Sequence, residues 1–152
     1  MQFYARQRSL ADAVDRAARG VLPSGKRHSH QYRIPGEALE EARERLLGAD
    51  LRACRSFDAL HSLVDSLIRD IHMVGALVVY DVSHRIGAHL GLAPERIYLH
   101  SGTRDGARAL GLGRGRDALD LDELPGEFGR LTPAEAEDCL CIYKEAIQRA
   151  MR

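Results

Sequence analysis

Two apolar stripes at helical spacing, joined by a few residues that end in glycine, constrain this chain more than any other feature. Phe57, Leu60, Val64, Leu67, Ile68 and Ile71 recur every three or four residues, which places them on one face of an α-helix beginning near Ser56. Val78, Val79, Val82, Ile86 and Leu90 repeat the pattern, predicting a second helix from about Ala76 to Leu90. Tyr80, Asp81, His84 and Arg85 fall on the other side of that second helix. Asp81 and Arg85 stand four apart, where they can pair weakly on a solvated or partner-facing surface.

The same reading extends along the chain. Ser9 caps a helix that Gly20 closes. Residues 20–35 hold two Pro and two Gly and have no apolar period, so they read as a loop. Leu39, Ala42 and Leu46 mark a helix from about Gly36 to Leu47, with Gly48 ending it. Gly91-Leu92-Ala93-Pro94 breaks the chain, Ile97-Tyr98-Leu99 is a short apolar run, and Thr103 is placed as the cap of a helix to about Leu110. Residues 111–130 read as an irregular loop. Thr132-Pro133-Ala134-Glu135 is a helix start with a cap, a first-turn proline and a glutamate at the third position. The last helix is expected to turn Leu140, Tyr143 and Ile147 inward. The expectation is an all-α fold: one helical domain over 1–152, of about six helices and no sheet.

Composition bounds the rest. At 152 residues and 45% apolar, the chain suits a single domain with a core. Its 29% charged residues balance to zero, and no apolar run approaches the roughly 20 residues that a membrane helix needs. The start shows no basic-then-apolar leader pattern, so the expected compartment is the cytoplasm, with no membrane partner. Three cysteines, Cys54, Cys139 and Cys141, do not make a disulfide framework. Cys139 and Cys141 lie two apart on a predicted helix and read as small buried residues, so no metal is assigned to them. No phosphate-loop motif occurs, and no cofactor is expected. Charge is uneven: residues 1–33 carry seven Lys or Arg against two Asp, a basic arm of the kind that meets anionic partners.

Ile68-Arg69-Asp70-Ile71-His72-Met73-Val74-Gly75 stands where a helix-hairpin-helix unit has its apolar anchor, spacers and Gly-hydrophobic-Gly turn, with Met73 in place of the first glycine. Residues 57–90 are assigned to such a unit. Its hairpin amides and the positive end of the second helix hold a backbone phosphate without reading a base. Pro94-Glu95-Arg96-Ile97-Tyr98-Leu99-His100-Ser101-Gly102-Thr103-Arg104, ending in Leu110-Gly111-Leu112, resembles the segment after the hairpin in the helix-hairpin-helix DNA glycosylase superfamily. The resemblance covers about residues 57–112. It places His100 where the family carries its catalytic Asp, and Leu77 near the place of the lysine of bifunctional members. It therefore implies DNA contact, through Met73, Val74, Gly75 and Arg104, more than base excision. Any catalysis it implies is a glycosylase-like hydrolysis in DNA repair.

Lys26-Arg27-His28-Ser29-His30-Gln31-Tyr32-Arg33 is the other candidate DNA surface. Its cations suit phosphates and Tyr32 could stack on a base. The same loop also fits protein contact or plain exposure, and His28 and His30 alone do not specify a metal. His100, between an apolar run and a glycine turn, stands where a general acid or base is often displayed. Lys144, the only lysine outside the basic arm, is its candidate partner in one cleft, with snorkelling along the core edge as the alternative. The sequence admits three functions: a DNA-interacting helix-hairpin-helix protein; a non-catalytic helical protein-interaction or regulatory module; or an enzyme of another class using His100 and Lys144. Oligomeric state is not legible.

Overall fold

The computed structural model describes residues 1–151. Among them the fold is mostly helical. Two compact units form within the span that composition assigns to one domain, Met1–Ala93 and the chain from Pro94 onward.

The first unit contains helices α1 (Gln2–Ala5), α2 (Leu10–Arg19), α3 (Gly36–Leu47), α4 (Phe57–Ile68) and α5 (Ala76–Leu90). The sequence signals explain their ends. The Ser9 hydroxyl accepts from the Asp12 amide at 3.1 Å, and Gly20 closes α2 in the left-handed region at φ 64°. Ser56 caps α4 by accepting from the Ala59 amide at 3.2 Å. Val14, Leu39, Leu46, Leu60, Val64, Ile68, Val79, Val82 and Ile86 join in one core. Helix α5 packs against α1, α2 and α4, so it is covered on more than its apolar stripe. The solvated side expected for it is therefore not found: Tyr80 and Arg85 are buried. The loop after α2 is ordered as well. Val21 and Arg27 bridge in antiparallel fashion, and Ser29–Gln31 form a 3₁₀ turn.

The second unit contains β1 (Ile97–Tyr98), α6 (Ser101–Ala109), β2 (Ala118–Leu119), α7 (Pro133–Ile142) and α8 (Lys144–Ala150). The expectation of no sheet is corrected at this point: β1 and β2 pair antiparallel, Ile97 opposite Leu119. The stretch read as irregular contributes β2 and the 3₁₀ turns Leu121–Glu123 and Gly126–Arg130. Ile97, Leu99, Ala107, Leu119, Leu124, Ala136 and Leu140 form a separate core. Helix α6 begins three residues earlier than expected, with His100 rather than Thr103 at its N-cap, so Thr103 is not a cap but a buried residue inside the helix. Helix α6 lies against α7 at close range because its facing residues are glycines. A methyl at Gly102 would stand 2.6 Å from Cys141 Sγ, and one at Gly106 would collide with the Leu140 carbonyl.

The capping box at the start of α7 forms as read, with Thr132 accepting from the Glu135 amide at 3.3 Å. The continuous last helix does not. The backbone turns out of helical geometry at Tyr143 (φ −98°, ψ 12°), which shifts the phase of the residues beyond it. Leu140 is buried and Ile147 half-buried, whereas Tyr143 is exposed. No helix among the described residues is long and apolar enough to cross a membrane.

Candidate functional site

Three places bring together the residues with chemistry. The first is the turn between α4 and α5. Ile68 and Ile71 close the end of α4, and the Ile71 carbonyl accepts the Val74 amide at 3.0 Å. Val74 is buried beneath the turn, while Met73 is 50% exposed above it. Met73 is the one non-glycine residue among those described with positive φ, at 65°. Left-handed backbone disfavours a side chain by about 1–2 kcal/mol, so the packing of Val74 and Ile71 must hold it. Gly75 is the N-cap of α5, with an ordinary φ of −99° and no side chain capping the first turn. A Cβ there would meet nothing within 4 Å. The partner helix therefore does not crowd that position. The flanking cations are engaged: Arg69 pairs with Asp65 at 3.1 Å, and Arg45 pairs with Asp70 at 2.6 Å.

The second place is the basic loop against the middle of α5. Arg85 is enclosed. It donates to the Ala17 carbonyl at 3.3 Å, to Gln31 Oε1 and to Asp81 Oδ2 at 3.2 Å. Its guanidinium also lies 5.6 Å from the Tyr4 ring centre. Gln31 donates to the Ala18 carbonyl at 3.0 Å, which pins the 3₁₀ turn to α2. His28 caps that turn and His30 lies within it, their ring centres 5.3 Å apart. His30 Nδ1 is 3.2 Å from Asp81 Oδ2. Burial opposes ionisation of Asp81, but the His30 hydrogen bond and the Arg85 charge outweigh it and hold the carboxyl below its ordinary value. Burial also holds the His28 imidazole below its ordinary value, reinforced by Arg85 and opposed by Asp81.

The other residues of the loop are less constrained. Arg27 donates to the Ile34 carbonyl at 3.1 Å. Lys26 and Arg33 are exposed, and Tyr32 is 75% exposed.

The third place is inside the second unit. His100, at the start of α6, is hydrogen-bonded to Glu137 of α7, their side chains 3% and 6% exposed. Thr103 donates to the same Glu137 oxygen at 2.6 Å, and its hydroxyl is 3.0 Å from His100 Nε2. Cys141 lies one turn beyond Glu137, with a ligand atom close to both. This is a closed knot rather than a displayed general base. Lys144 begins α8. Arg104 is occupied too. It donates to the Leu99 and Arg116 carbonyls at 2.8 and 2.6 Å and pairs with Asp117 at 3.1 Å, tying α6 to the strands.

Asp81, Arg85, Thr103 and Glu137 do not stand out as functional in the sequence, and Gln31 is legible only as a member of the basic loop. Glu137 carries a usable signal, a lone carboxylate one turn from Leu140 on the packed face of α7. Comparison with family models, with curated proteins and with solved structures gives no match to this chain.

Proposed function

We propose that this is a nucleic-acid-interacting protein whose α4–α5 hairpin holds a backbone phosphate, and that it does so without excising a base. The observation that carries the reading is the conformation of Met73-Val74-Gly75: a left-handed residue, a buried apolar anchor, and an N-cap glycine with open space over it. Left-handed Met73 adopts the conformation that the first glycine of a Gly-hydrophobic-Gly turn supplies. Nothing inside the protein requires glycine at position 75. A phosphate approaching the uncapped first turn of a 15-residue helix does. Because Arg45 and Arg69 are paired, the hairpin supplies amides and a dipole rather than free cations, and exposed Lys26 and Arg33 supply the long-range attraction. The place that matches the glycosylase carboxylate holds an enclosed histidine, which favours contact over excision.

The test is a titration of a fluorescently labelled duplex at several salt concentrations. Binding is expected to weaken with salt, and Lys26→Ala with Arg33→Ala is expected to reduce the slope of log affinity against log salt by roughly two contacts' worth. No binding to any duplex or single strand at low salt contradicts the reading. One observation favours the alternative, a protein-interaction module: Ile142 and Tyr143 stand adjacent and are 69% and 58% exposed in the second unit. On that reading, Ile142→Ser alters assembly state or partner capture and leaves the duplex titration unmoved.

A further inference from the structure

Two imidazoles and a carboxylate converge on the first unit from positions 51 residues apart in the chain. One ligand atom from each of His28, His30 and Asp81 lies within 4.8 Å of the other two. The scaffold beneath them is rigid. The His28 amide donates to the Gly20 carbonyl at 2.7 Å, buried Gln31 anchors the turn that carries both histidines, and Asp81 rises from the middle of α5. His28 Nδ1 is buried and has no hydrogen-bond partner. A buried polar atom left so costs free energy that a ligand would recover.

We propose that His28, His30 and Asp81 form a binding site for a divalent transition-metal ion of the zinc type. The donor set decides the class. Imidazole nitrogens with one carboxylate suit zinc, cobalt, nickel or copper, whereas calcium and magnesium prefer shells made of oxygen. The spacing fits as well. Ligands at roughly 2.0–2.1 Å from a tetrahedral ion stand about 3.4 Å from one another. Closing to that distance asks for small side-chain rotations, and His30, 42% exposed, has room to make them. Three protein ligands leave one position for water. Arg85 fixes the carboxylate by donating to Asp81 Oδ2, as outer hydrogen bonds hold ligands at metal centres. The site is independent of the hairpin reading, and its success or failure says nothing about phosphate binding.

The experiment titrates Co²⁺ into the full chain and reads visible absorption together with calorimetry. The expected result is one bound equivalent with the visible bands of low-coordinate cobalt. His30→Ala, at an exposed position, is expected to fold normally by circular dichroism and to bind at least tenfold more weakly, and His28→Ala likewise. His72→Ala, at an exposed histidine of the α4–α5 turn, is expected to bind as the parent does. No binding by the parent chain overturns the proposal, as does equal affinity in parent and His30→Ala. A near-ultraviolet thiolate-to-cobalt band also overturns it, since that puts a cysteine in the shell, as binding at Cys141 with His100 and Glu137 in the second unit would.

Discussion

Arg85 donates to the Asp81 carboxylate at 3.2 Å across one turn of α5, with the guanidinium side chain 3% exposed. A guanidinium removed from water is tolerated only while its donors have acceptors, and here the acceptors come from α2, the 3₁₀ turn and α5 together. Arg85→Ala leaves Gln31 and Asp81 without that partner. It is expected to lower the unfolding free energy by roughly 3–5 kcal/mol, measured by urea denaturation. A loss under about 1 kcal/mol, the size of an exposed pair, would show that this network does not hold the histidine-bearing turn.

In the second unit the close approach of α6 to α7 makes its own prediction. Gly106→Ala drives a methyl into the Leu140 carbonyl, backbone that cannot swing aside. The expected cost is roughly 1–3 kcal/mol by overpacking, read from the denaturation midpoint. Gly126→Ala, where nothing lies within 4 Å, serves as the comparison and should change little.

The helix boundaries were legible because their signals are local. Ser9, Ser56, the Thr132–Glu135 box and the terminal glycines each act within one turn, and the observed ends agree to within a residue or two at these caps. The non-local features were not. Asp81 and Arg85 read as a solvated or partner-facing pair because α5 has a clear apolar stripe elsewhere, and only the packing of α1 and α2 on α5 buries Arg85 and half-buries Asp81. His28 and His30 could not specify a site alone, since the third donor lies more than fifty residues away. His100 was legible as unusual from its place before a glycine turn. Its enclosure by Thr103 and Glu137 depends on glycines at 102 and 106 that let α7 approach.

Met73 offers a backbone test. Its φ of 65° is strained for a side chain and free for glycine. Met73→Gly is expected to range from neutral to about 1 kcal/mol stabilising, relief of strain being partly offset by a freer unfolded chain. Met73→Val, β-branched, is expected to destabilise by more than about 1 kcal/mol on the same grounds. Equal stability of the two variants, by thermal unfolding, would show that position 73 is not held left-handed in solution.

His61 gives a pH dependence. Burial holds its imidazole below the ordinary value of 6.5, with Arg69 adding to the effect and Asp65 and Asp58 opposing it. The unfolded chain therefore takes up the proton first as pH falls. The associated stability is fully present above pH 6.5 and is lost as pH drops toward the lowered folded value. His61→Gln should flatten the fall in urea midpoint between about pH 6.5 and 5. An unchanged pH slope would assign the acid sensitivity to other groups.

If the amides of the α4–α5 hairpin meet a phosphate, amide chemical-shift mapping reads those groups directly. The ¹⁵N–¹H spectrum of the chain is recorded while a short duplex is added at low salt, for the parent and for Gly75→Asp. The largest shifts are expected at Val74, Gly75, Ala76 and Leu77, with smaller ones at Lys26 and Arg33. The hairpin shifts are expected to vanish in Gly75→Asp, whose carboxylate takes the place of the phosphate. A duplex that binds while the signals of residues 73–77 stay where they were, or that shifts them equally in Gly75→Asp, would contradict phosphate binding at the hairpin.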